Sequence, residues 1–337
     1  MPAFADAIKR ASAEAPQASG SVPVSPNRLL VADGDGLAYY CAGNDDTTPG
    51  EARANLLSKL DSARRLVGAS DVRILTTLSG SHKGHRYAIA RVKPYQGQRA
   101  NSRRPKNWQY LRDLLTADRI GGYEVQGTAT TEADDLFGWY AYNFPDDTVI
   151  YTQDKDMRML PGLHLDWVTH RTHKVDYNLD KFCDLYRAPR VRALNSVFNE
   201  KQYGPRWFWL QMLHGDQADN IPGLPKVKIG DKLKPVGEVT ANKLLADSAH
   251  GLDREVVAKA YESYYGDRWL TELIEQACLL WMRRDPDKWD DCLDPGGPLE
   301  FYNDGSDFFA KSYFEIEHRV RTADAYNSSP PQDDTGS

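Results

Sequence analysis

The stretch Leu29-Leu30-Val31-Ala32-Asp33-Gly34-Asp35 places an apolar run directly before two carboxylates. A short continuous apolar run is typical of a strand that is buried on both faces, as in a parallel sheet covered by helices. Ligands of open α/β sheets bind at the carboxyl ends of the strands, and this is where Asp33 and Asp35 follow. The stretch therefore predicts the first strand of an α/β fold, with acidic groups at its functional edge.

Three further acidic clusters occur along the chain, and together the four clusters hold nine carboxylates. Asp154-Lys155-Asp156 follows a second strand-like run, so its acids should reach the same edge as Asp33. Glu132 and Asp135 would share a helical face, and Asp134 would join them in an irregular first turn. Carboxylates gathered this closely repel one another unless cations separate them, and Mg²⁺ prefers such oxygen ligands. The pattern indicates metal-dependent phosphate chemistry.

Each acidic cluster also has an ordinary explanation when it is taken alone. Acids in a first helical turn favour the helix dipole, and Asp-Gly or Asp-Asn pairs are common in turns. The metal hypothesis depends on three clusters meeting at one edge of the sheet, with the fourth, Asp216 to Asp219, joining from a later helical region.

Strand and helix signals alternate up to about residue 200, which predicts a mainly parallel sheet with flanking helices. Strands are expected at 29–32, 72–78, 148–152 and 163–168. Helices are expected at 51–67, after Trp108, and from a Thr131 cap through Tyr140, then at 237–246, 253–265 and 268–284. The predicted divisions are a disordered leader at 1–26, an α/β domain at 27–200 with a basic arch at 82–107, a helical DNA-binding domain at 201–323 and a disordered tail at 324–337.

Composition excludes some classes of protein. The 337-residue chain has a net charge of −6, which argues against a uniformly basic nucleic-acid coat. No run approaches the roughly 18 apolar residues of a membrane span, and the first residues lack the apolar core of a secretory signal. The four cysteines show no paired spacing, so we expect reduced thiols and a cytoplasmic location.

The segment from His82 to Arg112 contains no acidic residue and is rich in Lys and Arg, with aromatic residues interleaved. Basic side chains neutralise phosphates, and exposed aromatic rings stack on unpaired bases. The segment therefore predicts a nucleic-acid-binding arch, with a solvated surface loop as the alternative. Its expected DNA contacts are Lys83, Arg86, Arg91, Lys93, Arg99, Arg103, Arg104 and Lys106, with Tyr95 as a stacking platform.

A second basic stretch contains Lys226 and Lys228 and lies in a turn between Gly223 and Gly237. Backbone amides of such a turn, together with the following helix amino terminus, can hold a phosphate. We expect this region to grip duplex DNA without reading its sequence.

The order of these motifs resembles the 5′→3′ exonuclease and flap-endonuclease superfamily, whose core is PIN-like. The matching motifs are Asp33-Gly-Asp35, Glu132-Ala-Asp134-Asp135, Asp154-Lys-Asp156 and Gly215-Asp216-Gln-Ala-Asp219-Asn220-Ile-Pro-Gly223. Compact exonucleases of short-tailed phages are the most similar members, and their arch motif is matched by Tyr95-Gln96-Gly97-Gln98-Arg99. The stretch from Gln276 to Arg284 is similar to their carboxyl-terminal helix.

The resemblance implies two sites for Mg²⁺ or Mn²⁺. Asp33, Glu132 and Asp134 would belong to the first site, and the second or shared ligands would be Asp135, Asp154, Asp156, Asp216 and Asp219. Arg99, Lys93 and Arg91 would hold the phosphate, and residues 216–245 would form a helix-turn-helix-type motif on duplex DNA. The implied activity is hydrolysis of DNA from 5′ ends or at 5′ flaps during replication, repair or recombination, with RNA–DNA hybrids as a further substrate.

The chain departs from the family pattern in two ways. Leu78-Ser79-Gly80-Ser81-His82 has no carboxylate where the family has one, so Asp35 or a water would have to fill that position. Gln96 stands in place of the arch lysine, and Lys93 or Arg91 would have to replace it. Two alternatives follow: a DNA-binding relative that does not cleave, or a haloacid-dehalogenase-type phosphatase, whose first motif Asp33-Gly-Asp35-Gly36 resembles.

Overall fold

The computed structural model describes residues 22–97, 103–167, 170–175, 191–192, 200–201, 203–246 and 253–328. Within these ranges seven strands form one sheet in the order β3-β4-β2-β1-β5-β6-β7. They are β1 (Ser25–Asp33), β2 (Ala69–Thr77), β3 (Arg119–Ile120), β4 (Tyr123–Thr128), β5 (Thr148–Tyr151), β6 (Gly162–Leu165) and β7 (Thr172–Val175). The four inner pairings are parallel, and the two edge pairings are antiparallel. The predicted mainly parallel α/β sheet is confirmed.

Helices flank this sheet and then dominate the remainder of the chain. Those of the first part are α1 (Gly34–Tyr40), α2 (Pro49–Val67), α3 (Arg86–Ile89), α4 (Trp108–Leu114) and α5 (Ala133–Asn143). Those of the second part are α6 (Pro205–His214), α7 (Glu238–Ala246), α8 (Asp253–Tyr265), α9 (Trp269–Leu280) and α10 (Asp307–Ser328). Short 3₁₀ turns occur at Lys83–His85, Asp156–Met159, Gly266–Arg268, Asp291–Leu293 and Glu300–Tyr302.

Strand β1 lies at the centre of the molecule because both of its faces are covered. Leu30 and Ala32 pack into one apolar cluster with the residues of α2, whereas Val31 packs into the other with α5 and α6. All three side chains are fully buried. The opening motif is therefore anchored from both sides, and its acidic end is held at a fixed point of the sheet edge.

A lysine-rich hairpin interrupts the second part, where we expected a turn among helices. It consists of β10 (Lys226–Ile229) and β11 (Lys232–Pro235), which pair antiparallel around Gly230, whose φ is +59°. Val227 is buried while both ends of the hairpin are exposed. Two short strands, β8 (Val191–Arg192) and β9 (Glu200–Lys201), also pair antiparallel.

Several predicted boundaries are wrong. Strand β1 begins at Ser25, inside the expected leader, and α10 continues to Ser328, into the expected tail. Helix α9 ends at Leu280 rather than at 284 because the Arg86 guanidinium donates to the carbonyls of Leu279 (3.1 Å) and Trp281 (3.0 Å). These bonds satisfy carbonyls that a longer helix would have used itself.

The start of α5 also differs from the prediction. Glu132, not Thr131, occupies the cap position, and the Thr131 hydroxyl donates instead to Asp135 at 2.5 Å. The helix-turn-helix motif remains a prediction. In the described part of the chain, every helix is too short or too polar to cross a membrane.

Candidate metal centre

Asp33 is fixed at the end of β1 by two hydrogen bonds. One carboxylate oxygen caps α1 by accepting from the Gly36 amide (2.8 Å), and the other accepts from the Thr152 hydroxyl (2.9 Å). Burial raises the pKa of this carboxyl to about 7, with further contributions from the charges of Asp35 and Asp154. The side chains that follow β1 and β5 therefore meet, as the strand topology predicted.

Asp134 lies among carboxylates from all four acidic clusters. Its pKa is raised well above the ordinary value by burial and then by the charges of Asp154, Glu132, Asp33 and Asp219. Such mutual repulsion requires that the groups be close together. The convergence expected from the sequence is thus present in the structure, and it includes the fourth cluster.

Asp156, Asp216 and Asp219 form the tightest part of this edge. Each offers an oxygen, these oxygens lie within 4.8 Å of one another, and all three residues are buried. The Gln211 amide donates to Asp156 at 2.5 Å. The pKa of Asp156 is raised well above its usual value by burial and by the charges of Asp154, Asp216 and Asp219, which outweigh the opposing effect of Lys155. We call Asp156, Asp216 and Asp219 the aspartate triad.

A compact turn presents two members of the aspartate triad. Asp216 and Ile221 exchange backbone hydrogen bonds of 2.8 and 2.7 Å, which closes the segment into a loop. Gly215 and Gly223 have positive φ, and a Cβ on Gly223 would lie 2.3 Å from the Gly215 nitrogen. The turn therefore requires glycine at these positions, which explains why Gly215 directly precedes an acidic residue.

Lys155 contacts the aspartate triad, and its nitrogen donates to Asp216 at 2.5 Å. Burial alone would raise the pKa of Asp216, but the hydrogen bond and the charge of Lys155 lower it below its ordinary value. Lys155 was absent from the predicted site. Its position between two aspartates in Asp154-Lys155-Asp156 was the available signal.

Glu132 is surrounded by donors. It accepts hydrogen bonds from Lys83 (3.0 Å), Tyr95 (2.7 Å) and Gln96 (3.2 Å), and Arg86 lies 3.3 Å away. Two of these four groups carry positive charge. We call Asp33, Glu132 and Asp134 the first carboxylate group, in which Glu132 is neutralised by the chain itself.

Tyr95 and Gln96 connect the first carboxylate group to the aspartate triad. The Tyr95 hydroxyl lies 2.7 Å from Glu132 and 3.0 Å from Asp219, and the Gln96 amide lies 3.2 and 3.0 Å from the same two residues. Tyr95 is 4% exposed, so the expected stacking platform for bases is wrong. Its hydroxyl instead binds carboxylates that come from distant parts of the chain.

Asp135 is not part of the metal centre, contrary to expectation. It is fully buried and forms a two-pronged ion pair with Arg86 at 2.6 and 2.8 Å. Burial raises the pKa of Asp135, but Arg86 and Arg283 lower it well below its usual range. Arg86 is equally buried, so its predicted contact with DNA is also wrong. The pair is a structural tie between α3 and α5.

The remaining predicted phosphate contacts of the arch have different positions. Arg91 forms ion pairs with Glu272 and Glu275, which occupies its guanidinium. Lys93 is exposed and available for binding. Arg99 lies outside the described residues.

Asp35, which we considered for the missing carboxylate of the first group, has partners of its own. It forms an ion pair with Arg112, and the Thr76 hydroxyl donates to it at 2.7 Å. These partners hold it beside β2, while its charge still contributes to the raised pKa of Asp33, so a role for Asp35 at the vacant ligand position stays a prediction.

The expected DNA-binding residues divide into buried and exposed groups. Lys83 donates to Glu132 and is mostly buried, and the Gly223 amide donates to the Gln276 side chain at 3.0 Å inside the protein. Neither is placed to contact DNA, which corrects both predictions. The exposed members, for which DNA contact stays a prediction, are Arg103, Arg104, Lys106, Lys226, Lys228 and Gly237.

Comparisons with known proteins give matches in structure alone. No family model matches the chain, and no curated protein sequence matches it. A flap endonuclease of bacteriophage T5, solved as a pseudo-enzyme complex with DNA and metal ions, is 15% identical, with a TM-score of 0.49 over 87% of this chain and 99% of that chain. The same T5 protein co-crystallised with metal ions (15% identical, TM-score 0.46) and a mutant T5 5′-exonuclease (14% identical, TM-score 0.46) have the same coverage.

Proposed function

We propose that this protein is a metal-dependent nuclease that hydrolyses DNA phosphodiesters at 5′ ends or 5′ flaps. The observation that carries the proposal is the aspartate triad, whose buried oxygens lie within 4.8 Å of one another beside Asp33, Asp134 and Asp154. Buried carboxylates are costly unless cations accompany them. An oxygen-only donor set suits Mg²⁺ or Mn²⁺.

The carboxylate oxygens of the site fit a divalent ion. Asp156, Asp216 and Asp219 would hold it, and Asp33, Asp134 and Asp154 would provide further oxygen ligands. A bound divalent ion supplies an acidified water and neutralises charge on the phosphate. Gln211 keeps Asp156 in place, and the glycine turn keeps Asp216 in place.

DNA would be held by the exposed basic groups before α4 and in the lysine-rich hairpin. Arg103, Arg104 and Lys106 lie before α4, with Arg104 stacked 4.1 Å over the Trp108 ring. The hairpin lysines and the start of α7 would contact duplex phosphates, in the region proposed as a helix-turn-helix-type motif. Lys93 would contact the strand that enters the centre, together with Arg99.

The test is cleavage of a 5′-labelled DNA duplex in Mg²⁺. Replacing both acids in the double variant Asp154→Asn plus Asp156→Asn should abolish cleavage while DNA binding remains measurable. The matched control, Asp118→Asn plus Asp267→Asn, removes two exposed carboxylates away from the centre and should cleave normally. Full activity of the first variant would overturn the proposal.

Product lengths would define the finer activity. Matched blunt, flapped and RNA–DNA hybrid substrates with 5′ labels separate mononucleotide release from flap removal. We expect products with a 5′-phosphate and a break that leaves a 3′-hydroxyl.

A second candidate is a DNA-binding relative that does not cleave. It is favoured by the four donors around Glu132, because they occupy a carboxylate that a metal would otherwise use. Salt-sensitive DNA binding with no cleavage in Mg²⁺ or Mn²⁺ would identify it. Hydrolysis of small phosphate esters without action on DNA would identify the phosphatase alternative.

A further inference from the structure

We propose that Lys83 is a built-in cation of the first carboxylate group, so that the protein holds one divalent ion firmly at the aspartate triad and a second ion only weakly. The inference rests on the proposed function in taking the two groups of carboxylates as metal ligands. It adds a residue that restricts how many ions the centre accepts.

The position of Lys83 is built into the fold. Its ammonium lies 3.0 Å from Glu132, and 18% of its side chain is exposed. Its amide donates to the Ser81 hydroxyl (3.1 Å), which in turn donates to the Thr131 carbonyl (2.6 Å). The adjacent Gly84 amide donates to the Thr130 carbonyl at 2.8 Å. These hydrogen bonds join residues 81–84 to residues 130–131, which directly precede Glu132.

The backbone of Lys83 is strained. Its φ is +57°, a left-handed conformation that costs energy for a residue with a side chain. Strain of this kind persists where the surrounding structure enforces it, and it concentrates at functional positions. The residue in this conformation has its ammonium 3.0 Å from Glu132.

The same loop lacks the carboxylate that the family resembled by the motifs has at this position. Residues 78–82 contain no acid, and the next residue is Lys83. Compared with the family pattern, the loop has one carboxylate fewer and the Lys83 ammonium in addition. The local charge is therefore more positive by two, which equals the charge of a divalent ion. A divalent ion at Glu132 therefore meets a repulsive ammonium and one ligand fewer.

The aspartate triad differs in this respect. Its contacting cation, Lys155, has 34% of its side chain exposed, about twice the value for Lys83, and it can turn toward water when an ion binds. The triad also keeps three carboxylates together. The stronger ion site is therefore expected there.

The experiment is a Mn²⁺ titration of the full chain without DNA. Binding is measured by calorimetry and by the electron paramagnetic resonance signal of free Mn²⁺. The wild type should bind one ion tightly and a second weakly. Lys83→Met and Lys83→Gln should tighten the second ion at least tenfold and leave the first unchanged, whereas Lys83→Arg should bind like the wild type. Lys311→Met, at an exposed position of α10, is the matched control and should change nothing.

Several outcomes separate this inference from the nuclease proposal. Wild-type Mn²⁺ binding by folded Lys83→Gln, or weaker binding of the second ion, would overturn the role of Lys83. Thermal melting shows whether each variant is folded. If the neutral variants unfold, Lys83→Arg still tests the role of the charge. Mn²⁺ binding by folded Lys83→Arg that differs from wild-type binding would count against the inference. If the neutral Lys83 variants tighten the second ion but the wild type cleaves no DNA, the inference stands and the nuclease proposal is overturned.

Discussion

The two groups of carboxylates at the sheet edge are neutralised in different ways. The aspartate triad consists of three buried acids with oxygens within 4.8 Å, contacted by the partly exposed Lys155. In the first carboxylate group, Glu132 is contacted by two cations and two neutral donors from residues 83–96. The comparison teaches that proximity of acids does not by itself define a metal site. The donors already bound to each acid determine how readily an ion can enter.

The largest effect should come from removing the aspartate triad. Asp156→Asn plus Asp216→Asn takes away two of its three carboxylates, so Mg²⁺-dependent cleavage should fall at least about 1000-fold, equivalent to roughly 4 kcal/mol. Glu132→Gln should reduce cleavage much less, because Glu132 is already neutralised. Both are measured as single-turnover rates on a labelled duplex. Equal losses in the two variants would remove the distinction between the groups.

The buried pair of Arg86 and Asp135 should matter for stability more than for ion binding. Asp135→Asn takes the closer of two carboxylate partners from the buried Arg86 guanidinium and leaves it Glu132 at 3.3 Å, so the free energy of unfolding should fall by about 3 kcal/mol. Urea denaturation with the metal-free protein measures this loss. Mn²⁺ affinity of the folded fraction should remain at the wild-type level, and a large loss of affinity would return Asp135 to the metal centre.

Asp33 should make the metal-free protein less stable as pH rises. Its pKa is about 7 in the folded protein and 3.8 when unperturbed, so the folded state binds more protons between these values. The stability contributed by the protonated form is complete below pH 4 and is lost as pH rises through 7. Asp33→Asn should therefore raise the unfolding free energy at pH 8 by about 2 kcal/mol. The gain should disappear in saturating Mn²⁺; a gain that does not depend on metal would argue against an ion beside Asp33.

The smallest effect should come from the hairpin, away from the carboxylates. Lys226→Ala plus Lys228→Ala removes two exposed charges from β10, so duplex affinity should fall about fivefold and the salt dependence of binding should weaken by about two ion contacts. Fluorescence anisotropy at several salt concentrations measures both. Cleavage at saturating DNA should be unchanged, since neither lysine touches the carboxylates. An unchanged salt dependence would exclude the hairpin from the DNA surface.

The part of the site at strand ends could be predicted from the sequence. Asp33 and Asp154 follow apolar runs, and parallel strands bring such positions to one edge. The choice between Asp134 and Asp135 could not be predicted, because neighbouring residues of a helix point in different directions and the result depends on where the helix begins. In the structure the helix begins at Ala133 with Glu132 as its cap, and Asp135 forms its ion pair with Arg86.

Other features depend on contacts between residues that are far apart in sequence. The end of α9 at Leu280 is set by Arg86, more than 190 residues earlier. Similarly, the donors on Glu132 come from a segment that composition alone marks as DNA-binding. Basic residues have the same signature whether they face phosphates or carboxylates, so burial had to be seen before Lys83 could be assigned to one or the other.

The most direct test of the central claim is anomalous diffraction from crystals of the full chain soaked in Mn²⁺. The strongest anomalous peak should lie among Asp156, Asp216 and Asp219, with a weaker peak or none beside Glu132. A dominant peak beside Glu132, with no density at the aspartate triad, would contradict the account.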